Sequence, residues 1–416
     1  MTGLMKGAMQ SHKHLVLLGA GHAHVHLLAQ ATRQSFNGAR VTLVAPFARQ
    51  LYSGMVPGFV AGHYALDDCV IALAPLLEKN GIRWLQQSVT ALDAQKRRLR
   101  LDDGTDLAYD WLSVNTGPVQ DRQLLETSLP GVREHGLFVR PIEAFCHLWP
   151  QVLALAAQRT LRLAVIGGGA AGLELVMAVR QRLPTASVTL IAGEAGLGTN
   201  YPDGVQQRLR SALKARRITV LNERATALHA GEIELGNGAR LLCDVPLVAT
   251  GAQAPAWLQG SDLALDAQGF IAVDACLRST NHPEVLAAGD VSARQDRPLA
   301  RSGVYAVRAG PALARNLEAL VAGQPLREHQ PPIHTLNLLS CGDQHAIATW
   351  GKFSAQGRWV VVQRLDRPLV CAALSPPLKA AVAYLMAGRR LLTLPSPNLE
   401  FPHPPRQLHS LNLAHP

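Results

Sequence analysis

One glycine-rich pattern occurs twice in this chain, each time between an apolar run and a helix-like stretch. The first copy is residues 15–24 (LVLLGAGHAH), and the second is residues 163–172 (LAVIGGGAAG). In both copies a second apolar run follows, and the copy closes on Thr-Gly, at Gly117 and at Gly251. A strand, a glycine turn and a helix in this order predict a β-α-β unit, and its recurrence predicts an internal duplication.

The spacing of the two copies supports this interpretation. Gly167 follows Gly19 by 148 residues, whereas Gly251 follows Gly117 by 134, because the first copy has a longer middle segment. Strands that alternate with helices at this spacing predict an α/β protein with two Rossmann-like, doubly wound domains and a small C-terminal α+β domain.

Domain boundaries follow from where the pattern begins, repeats and ends. We expect a discontinuous first domain of residues 13–120 and 262–330, a second domain of residues 121–261 and a C-terminal domain of residues 331–416. The other elements that we expect are helices at residues 142–158 and 303–322 and strands at residues 336–340, 346–350 and 359–363.

Composition describes a folded chain that is large enough for several domains. Its 416 residues are 48% hydrophobic and 17% charged, and the formal net charge is +10. The basic residues form short separate clusters and no nucleic-acid-binding module is recognisable, so no nucleic-acid partner is expected. Six cysteines stand singly, without a C-x-x-C pair, which argues against a zinc ribbon and favours a reducing compartment such as the cytoplasm.

The two terminal segments give weaker signals. Residues 1–13 have no apolar core and do not resemble a secretion signal. Residues 369–390 are apolar but are interrupted by Pro376, Pro377 and Lys379, so no spanning helix is expected. Two interpretations of this stretch stand: a packed C-terminal helix, which we favour, and a peripheral contact with the inner face of a membrane.

A Gly-x-Gly at the start of a helix is suited to binding a pyrophosphate. The first glycine permits a tight turn, the second lets the backbone approach the anion, and the helix directs free N–H groups at it. The second loop has the complete Gly-x-Gly-x-x-Gly pattern, whereas the first carries His24 in the third place. Because the third glycine governs how the helix packs on its strand, we expect a wider approach at His24. Two such loops predict two bound dinucleotides.

The residue that selects the nucleotide is not evident in either copy. A carboxylate normally ends the second strand, where it binds the 2′-hydroxyl of the adenosine ribose. Ala45 and Ala192 occupy those places, and Glu194 lies two residues after the second of them. The sequence therefore leaves the choice between NADH and NADPH open.

Three histidines follow the first glycine loop, at His22, His24 and His26. His22 and His26 are four residues apart and can share one helix face. A metal there would compete with the nucleotide, so we expect no metal site. Two interpretations of these side chains stand: contact with the bound cofactor, and simple packing.

A third signal is residues 283–290 (PEVLAAGD), an apolar run that ends in Gly289 and Asp290 before a helical stretch. A carboxylate at the end of a strand can accept hydrogen bonds from the hydroxyls of a polyol. The alternative is an ordinary helix N-cap, a position that Asp favours. Since two dinucleotide loops precede it, we favour contact with the ribityl chain of a flavin.

The order of these motifs over residues 13–325 resembles that of the flavoproteins with two dinucleotide-binding domains. They include the pyridine nucleotide-disulfide oxidoreductases and the type II NADH dehydrogenases. A narrower resemblance is to the subfamily also found fused in front of selenophosphate synthetase (selenide, water dikinase). Its marks are residues 19–25 (GAGHAHV), 52–58 (YSGMVPG), 61–64 (AGHY), 302–308 (SGVYAVR) and 342–348 (GDQHAIA).

The resemblance implies an FAD-dependent NAD(P)H dehydrogenase, in which hydride passes from nicotinamide to flavin and electrons pass to an unidentified acceptor such as a quinone. It also implies a functional link to selenophosphate synthetase. For FAD the implied binding residues are Gly19, Ala20, Gly21, His22, His24, Ser53, Gly54, Val89, Thr116, Gly117, Gly289 and Asp290. For NAD(P)H they are Gly167, Gly169, Ala171, Gly172, Glu194 and Gly251, and the implied catalytic residues are Glu174, Tyr305 and Arg308.

Three departures from the family bear on particular activities. The first domain lacks the cysteine pair of the disulfide reductases, and Val304, Ala306 and Arg308 stand where type II NADH dehydrogenases carry their quinone-side glutamine motif. Cys146 and Cys341 are placed only loosely like the two cysteines of sulfide:quinone oxidoreductases. The alternatives are therefore a sulfide:quinone-type or selenium-pathway flavin reductase, and a redox-responsive FAD- and NAD-binding protein with little turnover.

Overall fold

A computed structural model of the chain describes residues 13–357. The first third of this range builds a parallel sheet with helices around it and a small antiparallel sheet beside it. In chain order the elements are β1 (His14–Leu18), α1 (His22–Gln30), β2 (Arg40–Val44), β3 (Arg49–Leu51), α2 (Val56–Ala61), β4 (Val70–Ala72), α3 (Ala74–Asn80), β5 (Arg83–Leu85), β6 (Val89–Asp93), β7 (Arg98–Leu101), β8 (Asp106–Ala108) and β9 (Trp111–Val114). Strand β1 is buried along its whole length, as is typical of a parallel strand covered on both faces.

The second copy and the segment that leads into it follow. Their elements are α4 (Arg122–Ser128), α5 (Val132–His135), β10 (Leu137–Phe138), α6 (Ile142–Gln158), β11 (Arg162–Ile166), α7 (Ala170–Arg182), β12 (Ser187–Ile191), α8 (Asp203–Ala215), β13 (Thr219–Leu221), β14 (Ala225–His229), β15 (Glu232–Leu235), β16 (Arg240–Leu242) and β17 (Val245–Val248). The last elements are β18 (Ile271–Val273), β19 (Val285–Ala287), β20 (Ser292–Arg294), α9 (Gly303–Val321), β21 (Asn337–Ser340), β22 (Ala346–Trp350) and β23 (Phe353–Gly357).

Two five-stranded parallel sheets with the same internal order confirm the duplication. The first has the order β19-β9-β1-β2-β5 and the second the order β10-β17-β11-β12-β13. Each copy also has a three-stranded antiparallel sheet, β6-β7-β8 in the first and β14-β15-β16 in the second. The edge strands differ in origin, because β10 precedes the second copy whereas β19 returns to the first sheet after the second copy is complete. The fold is thus α/β with two Rossmann-like, doubly wound domains.

The predicted helix at residues 142–158 is confirmed as α6, although it contains Pro150. Proline inside a helix costs about 3 kcal/mol. Complete burial of a large apolar side chain contributes about 1.5–3 kcal/mol, so the buried face outweighs that cost. The side chains that this helix buries are Phe145, Cys146, Trp149 and Val152.

The C-terminal part of the described chain is a three-stranded antiparallel sheet, β21-β22-β23, that packs on α7 and α8. Strands β21 and β22 confirm two predicted strands, and β23 was not predicted. The strand expected at residues 359–363 and the apolar stretch 369–390 lie outside the described residues. Within residues 13–357, no helix combines the length and apolar character needed to cross a membrane.

Candidate cofactor and nucleotide sites

The first glycine loop joins β1 to α1 beneath the end of β9. Gly19 has a φ of +87°, which glycine adopts without strain. A Cβ atom at Gly19 would lie 2.7 Å from the Asn115 carbonyl oxygen, and the N–H of Gly21 donates to that same oxygen at 3.0 Å. Both glycines are therefore required, because the backbone after β9 passes directly against the loop.

Asn115, immediately after β9, is a site residue that the sequence does not mark. It is 2% exposed. Its Oδ1 accepts hydrogen bonds from the N–H groups of Ala23 at 3.0 Å and His24 at 3.1 Å, and its Nδ2 donates to the Ala288 carbonyl oxygen. Asn115 thus caps α1 and ties it to the end of β19. In the sequence, the feature that could have drawn attention to Asn115 is its position before Thr-Gly, where the second copy has Ala249.

The side chain of His24 has its partners within the protein. It is fully buried, with Nδ1 2.5 Å from the Gly19 carbonyl oxygen and Nε2 2.7 Å from the Ser113 hydroxyl. Burial lowers the pKa of His24 to about 4, so the ring is neutral at neutral pH. The ring fills the space between α1 and β9, and these contacts favour the packing interpretation for this histidine.

The Gly-Asp segment follows β19 and forms a short 3₁₀ turn, Gly289–Val291. The helix N-cap alternative for Asp290 is wrong, because the N-cap of α9 is Ser302, twelve residues later. Burial raises the pKa of Asp290, and the positive charges of Arg140 and Arg301 act in the opposite direction. A partly buried carboxylate near two arginines is suited to accept hydrogen bonds from neutral hydroxyl groups.

A buried hydroxyl marks the place where α9 begins. Among the described residues the Ser302 hydroxyl has no hydrogen-bond partner, although buried polar groups in proteins are normally satisfied. A Cβ atom at the next residue, Gly303, would lie 4.0 Å from the Ser53 hydroxyl. Ser53 and Gly54 belong to a 3₁₀ turn, Ser53–Met55, that leads into α2. An unsatisfied hydroxyl beside this turn fits the polar ring of a flavin, in the place that the family resemblance implies.

The other residues expected around FAD lie along the same edge of the first sheet. Strands β1, β9 and β19 are parallel neighbours, so the segments that follow them lie side by side. Ala20 lies in the glycine loop, and His22 begins α1 with its ring 5.3 Å from the Tyr52 ring. Thr116 and Gly117 follow β9. Val89 begins β6, which places it just beyond the end of β5.

The second glycine loop joins β11 to α7. Gly167 has a φ of +133°, and a Cβ atom there would lie 2.6 Å from the Ala249 carbonyl oxygen. A Cβ atom at Gly172 would overlap the Gly167 carbonyl oxygen. At Gly169 a Cβ atom would meet nothing within 4 Å, and its side of the helix, including Ala171, is exposed. Helix α7 has no side-chain cap at Gly169, so its first N–H groups suit a pyrophosphate.

Gln120 holds the Thr-Gly segment of the second copy in place, and no sequence motif pointed to it. Its Nε2 donates to the carbonyl oxygens of Val248 at 3.0 Å and Thr250 at 3.2 Å, and its Oε1 accepts from the N–H of Arg140 at 2.9 Å. Within residues 13–357 the buried hydroxyl of Thr250 has no partner. This hydroxyl and the exposed Gly251 beside it fit a nucleotide that extends from the second glycine loop.

Direct packing of α2 on α7 joins the two sites. Val60 and Ala61 from α2 share one buried core with Leu173 and Val176 from α7. The turn that carries Ser53 therefore leads into a helix that packs against α7, the helix that follows the second nucleotide loop.

The three expected catalytic residues lie on two helices. Glu174, on α7, accepts a hydrogen bond from the N–H of Ser340 at 2.7 Å, which ties α7 to β21. Tyr305, on α9, lines a cavity of about 430 Å³ together with Asp290. Arg308 is exposed one turn further along α9. Their catalytic roles stay predictions.

Glu194 lies on the wall of a cavity of about 770 Å³ between the loop after β12 and helix α8. Arg210, Lys214 and Arg217 line the same cavity. One carboxylate and three cations therefore border it, and this mixture does not select between the 2′-hydroxyl of NADH and the 2′-phosphate of NADPH.

The cysteines do not form a reactive pair in the described part of the chain. Cys146 and Cys341 are both buried, and no disulfide is present among residues 13–357. Burial raises the pKa of the Cys146 thiol to about 12, which makes it a poor nucleophile at neutral pH. The sulfide:quinone alternative therefore gains no support from Cys146. Within the same range no group of three His, Cys, Asp or Glu residues is placed to hold a metal ion.

Comparison with known proteins connects these observations to a family. A family model described as pyridine nucleotide-disulphide oxidoreductase matches residues 13–316. The chain is 27% identical over 397 residues to a probable ferredoxin reductase of Castellaniella defragrans, covering 88% of this chain and 93% of the relative. It is 25% identical to an NADH dehydrogenase-like protein of Mycobacterium tuberculosis, covering 80% and 86%. It is 24% identical to a demethylphylloquinone reductase of a Synechocystis species, covering 75% and 80%.

Solved structures share the fold. Sulfide:quinone oxidoreductase from Aquifex aeolicus matches with a TM-score of 0.70 at 16% identity, covering 90% of this chain and 91% of that one. NDH2 from Plasmodium falciparum, in complex with NADH, matches with a TM-score of 0.70 at 14% identity, covering 90% and 97%. With its two glycine loops and its Gly-Asp turn, this protein belongs to the pyridine nucleotide-disulphide oxidoreductase family and is an FAD-dependent oxidoreductase that acts on NAD(P)H.

Proposed function

We propose that this protein is an NAD(P)H dehydrogenase in which the first glycine loop and Asp290 hold FAD and the second glycine loop holds NAD(P)H. The observation that carries the proposal is the direct packing of α2 on α7. It connects the turn at Ser53, through α2, to the helix that follows the second glycine loop, and this supports the placement of the two cofactors against each other across these helices.

The strand pairing supports a division of the chain into an FAD-binding domain, an NAD(P)H-binding domain and a C-terminal domain. The FAD-binding domain comprises residues 13–120 and 262–330, because β19 from the second segment completes the sheet of the first. Residues 121–261 form the NAD(P)H-binding domain around the second sheet. We assign residues 331–416 to the C-terminal domain, whose described part is the sheet of β21, β22 and β23.

The residues of the chain contribute position and charge. When bound, FAD supplies the acceptor for a hydride and passes the electrons on to a second substrate. Asp290 would accept hydrogen bonds from the ribityl hydroxyls, and the N–H groups at the start of α7 would hold the nucleotide pyrophosphate. Gln120 fixes Thr250 and Gly251 along the nicotinamide path. Such fixed placement is itself a large part of catalysis, because it makes the transfer effectively unimolecular.

The proposal also concerns the class of molecule that accepts the electrons. Relatives are a probable ferredoxin reductase and a demethylphylloquinone reductase, which suggests a ferredoxin-type protein or a quinone here. The formal net charge of +10 favours an acidic carrier protein, because opposite charge speeds the encounter of two proteins. A link to selenophosphate synthetase and a peripheral membrane contact through residues 369–390 rest on the sequence alone.

Arg308→Ala is expected to lower kcat/KM for an acidic carrier about tenfold while FAD stays bound, since an exposed arginine on α9 attracts such a partner. Reduction of a plant-type ferredoxin and of a short-chain ubiquinone by the purified variant measures this. Arg315→Ala, also exposed on α9, is the matched control. Unchanged turnover with both acceptors would remove Arg308 from the proposed function.

An anaerobic absorbance titration of the purified protein with NADH, and separately with NADPH, tests the proposed function. Bleaching of the flavin bands by one nucleotide establishes hydride transfer from that nucleotide. Flavin bands that persist with both nucleotides contradict the dehydrogenase and favour the redox-responsive binding protein.

A further inference from the structure

Two of the differences between the copies lie at neighbouring places in the fold, where the glycine loop meets the closing Thr-Gly segment. The third position of the glycine pattern is His24 in the first copy and Gly172 in the second. The residue immediately before the closing Thr-Gly is Asn115 in the first copy and Ala249 in the second. Both changes replace a small residue by a larger polar one, and both lie at the junction of helix, loop and strand.

In the second copy the small residues permit close packing of backbone on backbone. A Cβ atom at Gly172 would overlap the Gly167 carbonyl oxygen and would lie 3.6 Å from the Cβ of Ala249. Neither residue has a polar side chain, so the N–H groups at the start of α7 have no side-chain partner from this pair.

In the first copy the two larger side chains fill the same junction and satisfy the groups around it. The His24 ring contacts the Gly19 carbonyl oxygen and the Ser113 hydroxyl. The Asn115 amide accepts from the N–H groups of Ala23 and His24. Each side chain is buried, and both bond to the start of α1 or to the loop before it. One change without the other would leave a gap or unsatisfied polar groups.

We propose that His24 and Asn115 are a coupled pair of positioning residues for FAD, which together replace the third glycine of the first nucleotide loop. This inference rests on the proposed assignment of FAD to the first copy. Asn115 also donates to the Ala288 carbonyl, and a Cβ atom at Gly289 would lie 2.8 Å from its Nδ2. The pair therefore sets the glycine loop and the turn that carries Asp290 at a fixed separation. Those are the two segments proposed to hold the pyrophosphate and the ribityl chain.

A double-variant cycle on the full-length holoenzyme tests the coupling, with Asn115→Ala, His24→Gly and the two combined. The rise in flavin fluorescence on dilution gives the FAD dissociation constant and release rate, below the unfolding midpoint of each variant. Each single variant is expected to bind FAD about tenfold more weakly, since a helix cap or a filled cavity is lost. The combined variant has the Gly and Ala of the second copy at these two positions. Its affinity for FAD is expected to be at least about threefold higher than the product of the two single losses would give.

A combined loss of FAD affinity that is smaller than the product of the two single losses is a result that independent destabilisation at two sites does not produce. Affinity for NAD(P)H at the second loop is the internal control, and it is expected to stay unchanged in all three variants. Losses that simply multiply, or single variants with wild-type FAD affinity, would overturn the coupling. A wild-type protein that binds no FAD would instead overturn the proposed function.

Asn115→Asp keeps the test decisive if Asn115→Ala does not fold. The substituted carboxylate retains the oxygen that caps α1 and removes the donor to Ala288. Faster FAD release from this variant supports the link to the Asp290 turn, and release at the wild-type rate contradicts it.

Discussion

Asp290→Ala is expected to purify without flavin colour and to bind added FAD about 100-fold more weakly than the wild-type chain. A hydrogen bond to a charged group contributes about 1.5–3 kcal/mol, and a loss of about 100-fold, or about 2.7 kcal/mol, corresponds to one strong or two weak bonds of this kind to ribityl hydroxyls. Removing the carboxylate also takes away one of the negative charges that face Arg140 and Arg301, while Asp266 still pairs with Arg301 at 3.1 Å. The flavin-to-protein absorbance ratio and an FAD titration of the purified variant measure the effect.

Asp296→Ala is the matched control for this experiment. Asp296 lies six residues further along the same segment, where its exposed carboxylate pairs with Arg294 at 2.7 Å. Its removal leaves the buried Arg294 guanidinium with a hydrogen bond to the His329 carbonyl oxygen, so this variant is expected to lose some stability but to keep its flavin. An Asp290→Ala protein with a full complement of FAD would contradict the assignment of the Gly-Asp turn.

Gly172→Ala is expected to slow flavin reduction by NAD(P)H at least about 100-fold, with FAD content unchanged. The added Cβ would overlap the Gly167 carbonyl oxygen, so α7 must shift away from β11 and carry its N–H groups with it. A misplacement of about 1 Å at a reacting pair is enough for a loss of this size. Anaerobic stopped-flow measurement of the flavin bands gives the rate directly.

Gly236→Ala in the same domain controls for the loss of a glycine as such. It lies in the turn between β15 and β16, where the nearest atom to a Cβ position is 3.7 Å away, an ordinary contact. This variant is expected to behave as the wild type does. Reduction of Gly172→Ala at the wild-type rate would show that α7 does not hold the nucleotide.

Much of the fold could be predicted from the sequence because its signals are local and occur twice. An apolar run followed by Gly-x-Gly fixes a strand, a turn and a helix within about ten residues. The length of α6 followed from its apolar periodicity even across Pro150. Strand β23 was missed because its sequence, FSAQG, has neither an apolar run nor a clear alternation.

The contacts that complete the sites could not be predicted in the same way, because they join distant segments. Asn115 meets Ala288 across 173 residues, and Gln120 meets Val248 across 128. A single asparagine or glutamine has no pattern that reveals such a partner. The partners of the His24 ring, Gly19 and Ser113, could not be predicted for a related reason, because a histidine in a phosphate-loop motif is compatible both with a ligand contact and with packing.

The return of β19 to the first sheet constrains the order in which the protein assembles. The second sheet has all its strands once the ribosome has added Val248, whereas the first lacks an edge until Ala287 has emerged. Until then β9 presents an unpaired edge of the kind that other chains can join. Asp290 is synthesised only after that edge strand. The proposed flavin site is therefore completed later than the proposed NAD(P)H site of the second copy.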